Sequence, residues 1–380
     1  MQTIELFLLL LCLPAVQSEQ DVIVAGPENG ERPWLPDLRK ADSRVEIPPE
    51  KRLDIVILGD GYLEAEREEF EREVRDWYER FLRLTPWKQL RGGFRVRGLW
   101  TPGASRATTA RKSRYAISST TQDVGDVTGR ATREGVFEAL GRIGANPARA
   151  RGRLTHTTVV MLVRNEDGLN PSGLAREVAS PDGKVAVSGG FGHYTHHEFG
   201  HAFGGLRDEY IRGPGSRATQ RPPERLSIFT VSNLAYTREL RLLPWAHLAP
   251  GSAVNPDADS LVGVLWAGGV AEEGAWHSEA RCLMNGAHEN WDLQRSFRGA
   301  SLRDRERFCF WCEEILVART LERTGQLGDS SDGEALWREW ERLRPLYHAA
   351  FDVPARIKEQ NGRNAQVRLA EARIYQRPVP

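Results

Sequence analysis

The sequence predicts a mixed α/β (α+β) fold: a twisted mixed sheet with helices packed on it, followed by an irregular C-terminal subdomain with helices. Three observations predict it. Short β-branched runs stand at 53–58 and 157–163; segments of helical apolar period lie between and after them; and residues 211–280 are long, irregular and punctuated by proline. Strands that alternate with helices are the pattern of a sheet covered by helices.

Residues 19–48 are rich in Pro, Gly and charge without periodicity and read as an extended arm. LDIVIL at Leu53 to Leu58 reads as a buried strand, closed by the tight turn Gly59-Asp60-Gly61. From Leu63 to Leu84, Phe70, Val74, Trp77, Phe81 and Leu82 recur at helical spacing, and Pro86 stops that helix. FRVRGLW at Phe94 to Trp100 alternates and reads as a second strand. The next thirty or so residues are Thr, Ser, Arg and Gly rich and read as loop. A helix is expected over Arg133 to Ile143, a buried strand over Thr157 to Val163 and a short strand over Lys184 to Ser188. Further on, Ser301 to Arg323 reads as helical and Gly325 to Gly333 as a small-residue linker. Leu336, Trp340, Leu343 and Tyr347 mark one more helix, kinked or broken by Pro345.

The chain has 380 residues, with 52 basic and 52 acidic side chains, so its net charge is zero. That balance argues against a nucleic-acid partner or an anionic membrane surface. The apolar run Leu6 to Val16 is too short to span a membrane and is followed by polar residues, as in a secretory signal. Val16 and Ser18 occupy the small-residue cleavage positions, so a mature chain is expected to start near Glu19. Three cysteines then remain: Cys282, Cys309 and Cys312. In an exported protein they suggest one disulfide from Cys282 to one of the other two. The alternative is a structural zinc held by all three with His277 or His288.

The chemistry is concentrated in GHYTHHEFGHAFGGLRDEY, Gly192 to Tyr210. His197-Glu198-Phe199-Gly200-His201 is an H-E-x-x-H. On a helix, positions i and i+4 share a face, so both imidazoles reach one metal ion. Glu198, beside the first ligand, is placed to act on a metal-activated water as general base. A third ligand is required. In the long form of the motif it falls where this chain has Arg207, which cannot ligate. Asp208 lies one residue later, and the doubled Gly204-Gly205 supplies the extra turn residue. Asp208 is the first candidate and Glu209 the alternative. Downstream, Met284 in Cys282-Leu283-Met284-Asn285 suits the methionine turn that lies beneath the zinc in metzincins. His193 and His196 read as supporting or solvated residues, and Tyr210 as a hydrogen-bond donor or an anchor for the turn.

GDGY at Gly59 to Tyr62, HEFGHAFGGLRDEY at His197 to Tyr210, CLMN at Cys282 to Asn285 and FCFWC at Phe308 to Cys312 follow one another at plausible distances. Together they resemble the secreted bacterial zinc metallopeptidases named after the immunoglobulin A peptidase, over roughly residues 50 to 320. The resemblance implies a metzincin-like fold, zinc on His197, His201 and Asp208, catalysis by Glu198, and a protein or peptide substrate. Two departures touch the substrate side and not the metal. Phe310-Trp311 replaces a proline-containing dipeptide between the late cysteines, and Trp276-His277-Ser278 stands where the family has an aromatic-Arg-Pro stretch. The family's name does not carry immunoglobulin over as this chain's substrate. The expected organisation is a signal peptide at 1–18, an arm at 19–48, a zinc metallopeptidase catalytic domain at 49–325 and a helical extension at 326–380. The expected setting is secreted or periplasmic, bacterial and monomeric, with no membrane span. Two rival readings are a non-catalytic binding module that keeps the fold and a metallohydrolase of a non-protein amide.

Overall fold

The computed structural model describes residues 22–25, 34–40, 43–104, 130–144, 149–150, 153–154, 157–165, 168–169, 174–180, 183–190, 193–209, 226–237, 239–260, 262–263, 266–267, 274–279, 282–285 and 307–363. The N-terminal apolar run, Tyr210, His288, the side chain of His193 and residues 301–306 of the expected late helix lie outside the described residues.

The sheet is built from β1 (Val22–Val24), β2 (Leu53–Asp60), β3 (Phe94–Leu99), β4 (Thr157–Asn165), β5 (Leu174–Ser180) and β6 (Gly183–Gly190). Their order across the sheet is β1-β3-β2-β4-β6-β5, and the two-residue strand Gly168–Leu169 pairs with the end of β4. The four central strands are parallel; both edge strands, β1 and β5, run antiparallel to their neighbours. The segment expected as an extended arm therefore supplies one edge of the sheet. It also forms a small hairpin, Trp34–Pro36 with Arg44–Glu46.

Strands covered on both faces favour apolar residues on both, and this is why β2 and β4 carry the runs Ile55 to Leu58 and Val159 to Val163. Ile55, Ile57, Val160 and Leu162 enter one core. Val56, Leu58, Val159, Met161 and Val163 enter the other, beneath Val136, Ala139 and Leu140 of α2 (Arg130–Arg142) and Ile143 just after it. The first face is covered by α1 (Arg67–Arg83), through Phe70, Val74, Trp77 and Phe81, and by α3 (His193–Gly204). Ion pairs at i,i+4 such as Arg67–Glu71 and Arg75–Glu71 line the solvent side of α1. Each of those contributes only a few tenths of a kcal/mol.

Among the described residues three further helices follow: α4 (Phe310–Arg323), α5 (Gly333–Ala350) and α6 (Val353–Arg363). Every side chain from Phe310 to Leu321 is buried, so α4 is a core helix without a polar face. Its two buried carboxylates are met by the later helices. Glu313 takes two hydrogen bonds from Arg356, at 2.6 and 2.7 Å, and one from the Tyr347 hydroxyl at 2.8 Å. Glu314 accepts from His348 at 2.6 Å and His247 at 2.9 Å, with Arg344 at 3.2 Å. The helix α5 runs through Pro345 and is not broken there. Leu336, Trp337, Trp340, Leu343 and Tyr347 are buried on both sides of the proline, and that burial outweighs its lost backbone bond. Among the described residues no helix is long and apolar enough to cross a membrane.

Burial works against the Glu314 carboxylate, but the neighbouring His247, His348 and Arg344 bring its pKa down to about 2 from 4.5. A lowered folded-state pKa stabilises above the unfolded value and fades as pH falls toward the folded one. Glu314→Gln is expected to lose about 3 kcal/mol at neutral pH. Its gap from the parent protein should narrow below about pH 4.5 and close toward pH 2, as followed by denaturant unfolding over that range.

Candidate functional site

The helix α3 has work for every face. Phe199 and Phe203 stack on each other at 5.2 Å, and both meet the indole of Trp87 edge-on at 5.6 and 5.4 Å. His196 lies flat on Trp77 at 4.8 Å and bonds the Trp77 carbonyl at 3.2 Å, so it is a packed buried residue and not a solvated one. The glycine face, Gly200 and Gly204, rests on the other side. A Cβ at Gly200 would stand 2.7 Å from the Met284 Sδ and 3.1 Å from Phe308, and one at Gly204 would stand 2.6 Å from Leu316. The second x of the H-E-x-x-H is thus a glycine because Met284 sits directly beneath it. The remaining face carries His197 and His201.

Gly205, at φ +67°, ends the helix, and its N–H donates to the His201 carbonyl at 2.9 Å. This left-handed cap is where a residue without Cβ is favoured. The chain then turns back. Buried Asn233 grips it on both sides, accepting from the Arg207 N–H at 2.7 Å and donating to the Arg207 carbonyl at 2.9 Å. The next residue, Asp208, places Oδ1 3.1 Å from the Nε2 of His197 and 3.1 Å from the Nε2 of His201. Those two nitrogens are themselves 3.1 Å apart. The structure therefore brings His197, His201 and Asp208 to one point. Glu209 turns the opposite way, into the interior, and its N–H donates to the Met284 carbonyl at 2.8 Å. Glu198 is buried on the turn between the two histidines.

The donor chemistry at that point is specific. Nδ1 of His197 donates to the Leu283 carbonyl at 2.8 Å and Nδ1 of His201 to the Leu206 carbonyl at 2.6 Å. A carbonyl only accepts, so each Nδ1 holds a proton, and in its neutral tautomer each ring would turn a bare lone pair at Nε2 toward the other and toward a carboxylate. Three acceptors 3.1 Å apart repel unless a cation joins them. A tetrahedral ion with ligand bonds of 2.0–2.1 Å spaces its ligand atoms about 3.3 Å apart, so the triangle fits one with its apex open. Without an ion a proton has to serve. Burial lowers the pKa of His201, yet the hydrogen bond and charge of Asp208 raise it overall. Burial likewise opposes the Asp208 carboxylate, but the two histidines hold it well below the usual carboxylate range.

The three cysteines are thiols and not a disulfide. The Sγ atoms of Cys282 and Cys312 are 3.7 Å apart, and Glu209 Oε1 lies 3.1 Å from Cys312 Sγ. The sequence gives no hint that Asn233 holds the bend or that Glu209 belongs with the cysteines; both depend on contacts across more than twenty residues.

A family model described as IgA Peptidase M64 matches residues 44–249, more than half of the chain. The chain belongs to this family. Membership makes it a peptidase by family, with a protein or peptide as the class of substrate. The matched segment takes in β2 through the bend at Gly205, Asp208 and Asn233, and it ends before Met284 and the three cysteines. No curated protein matches the chain significantly.

The fit beneath Gly200 has a measurable consequence. Gly200→Ala drives a methyl group into Met284 and is expected to cost about 1–3 kcal/mol of stability and to weaken metal retention. Adding Met284→Ala should recover part of the loss, which denaturant unfolding of the two single variants and the double variant measures.

Proposed function

We propose that the chain is an exported zinc metallopeptidase in which His197, His201 and Asp208 hold the metal and Glu198 is the general base. The observation that carries this reading is the convergence of three lone pairs, from His197 Nε2, His201 Nε2 and Asp208 Oδ1, at 3.1 Å from one another. A zinc ion bound by that set supplies Lewis acidity, which acidifies a water molecule and polarises a substrate carbonyl.

The protein's own residues do the rest. The Leu283 and Leu206 carbonyls fix both imidazole tautomers, so the ligand nitrogens need no reorganisation. The Asp208 carboxylate brings negative charge, and the clamp of Asn233 on residue 207 keeps it from swinging away. Glu198, one residue past the first histidine, takes a proton from the attacking water and passes it to the leaving amine. The substrate lies extended along β5, the last strand of the sheet, whose outer backbone groups have no neighbouring strand among the described residues. Support for that placement comes from α3, which packs against both β5 and β6. Export is part of the same reading and is supported by the apolar run Leu6 to Val16 with its polar sequel.

Glu198→Gln is expected to keep its zinc and lose at least 100-fold in hydrolysis of a peptide library, about the least that general-base catalysis contributes. Undiminished turnover by that variant would refute the role given to Glu198. Asp208→Ala should lose the ion held by His197 and His201 as well as the activity, and the drop in metal content of the dialysed protein by atomic absorption separates the two effects.

A further inference from the structure

We propose that Glu209, Cys282, Cys309 and Cys312 bind a second divalent metal, a structural Zn²⁺, behind the catalytic site. All four side chains are buried. One ligand atom from each lies within 4.8 Å of every other. A zinc ion with Zn–S bonds of about 2.3 Å and tetrahedral angles spaces two sulfurs about 3.8 Å apart, and a sulfur and a carboxylate oxygen about 3.5 Å apart. The sulfurs of Cys282 and Cys312 are 3.7 Å apart, and Glu209 Oε1 is 3.1 Å from Cys312 Sγ and 3.8 Å from Cys309 Sγ.

The surroundings suit thiolates. The Cys309 and Met284 N–H groups donate to Cys282 Sγ at 3.2 and 3.4 Å. The Cys312 N–H and the Ser278 hydroxyl both donate to Cys309 Sγ at 3.4 Å. Such donors spread the charge of a metal-bound sulfur. Glu209 gives the independent sign. It is fully buried, its Oε1 accepts from the Asn233 amide at 2.8 Å, and its Oε2 has no hydrogen-bond partner. A buried carboxyl in that position needs either a proton or a cation. A disulfide would use two of the sulfurs and supply neither.

The third group of ligand types, His247, Glu314 and His348, contrasts with it. There Arg344 already stands 3.2 Å from the Glu314 carboxylate and supplies the cation. At the cysteine cluster the metal would join three separate pieces of the site floor. Glu209 follows Asp208; Cys282 precedes Leu283, whose carbonyl orients His197; and Cys309 caps α4, which carries Leu316 against Gly204. Glu209 and the cysteines are thus positioning residues for Asp208 and His197. The sequence alternative of three cysteines with His277 or His288 is replaced by three cysteines with the carboxylate next to the catalytic ligand.

The test counts zinc in the full chain after dialysis without chelator, by plasma mass spectrometry. The parent protein is expected to hold two ions per chain and His197→Ala/His201→Ala one. X-ray absorption on that double variant should show a mainly sulfur shell at about 2.3 Å. Glu209→Gln, which leaves the three thiols in place, should release the sulfur-bound ion to a chelator at least tenfold faster. The proposal is overturned if the histidine variant holds no zinc. It is equally overturned if the unfolded parent chain is lighter by the two hydrogens of a disulfide and has two alkylatable thiols in place of four, Cys12 included. Neither result touches the histidine site, which is read separately from the zinc lost on going from parent to double variant.

Discussion

Two backbone carbonyls decide the character of this protein. By accepting from Nδ1 of His197 and His201, the carbonyls of Leu283 and Leu206 leave Nε2 as the ligand nitrogen of each ring and aim both at one point. Asp208 brings a third acceptor to the same point. Like lone pairs do not gather without reason, because their repulsion must be offset by a cation. Most of the architecture around α3 can be read as the means of holding those atoms together. Aromatic stacking fixes one face of the helix, glycines let Met284 and α4 approach another, and the cap at Gly205 turns the chain back.

The same arrangement explains why the helix is unlike an ordinary amphipathic one. A surface helix has a polar face for water, whereas α3 buries Thr195, His196, His197 and Glu198 along with Phe199 and Phe203. Buried polar groups are tolerable only when each is bonded, and here the bonds come from distant backbone: residue 77 for His196, residue 283 for His197. The site is therefore set by the tertiary structure as a whole.

Much of this was legible in the residues. The runs at Leu53 and Thr157 announced strands covered on both faces, and Phe70, Val74, Trp77 and Phe81 announced the buried stripe of α1. The histidine spacing and the doubled glycine pointed to the three groups that meet, because both signals are local. The edge strand β5 was not foreseen: its sequence LAREVAS mixes charge with apolar residues, and its pairing with β6 is decided by the sheet. Pro345 suggested a break that tertiary packing overrides. Asp208 and Glu209 could not be told apart by spacing alone, since a shift of one residue reverses direction in an extended chain. The clamp of Asn233 on residue 207 and the bond from the Glu209 N–H to Met284 settle which carboxylate faces which way, and both partners are remote in sequence.

The most direct measurement is anomalous diffraction across the zinc absorption edge on crystals of the full chain grown with zinc. A peak about 2.0–2.1 Å from His197 Nε2, His201 Nε2 and Asp208 Oδ1 together is expected. Density with the two imidazoles and Asp208 apart, and no anomalous peak between them, would contradict the catalytic reading at its root.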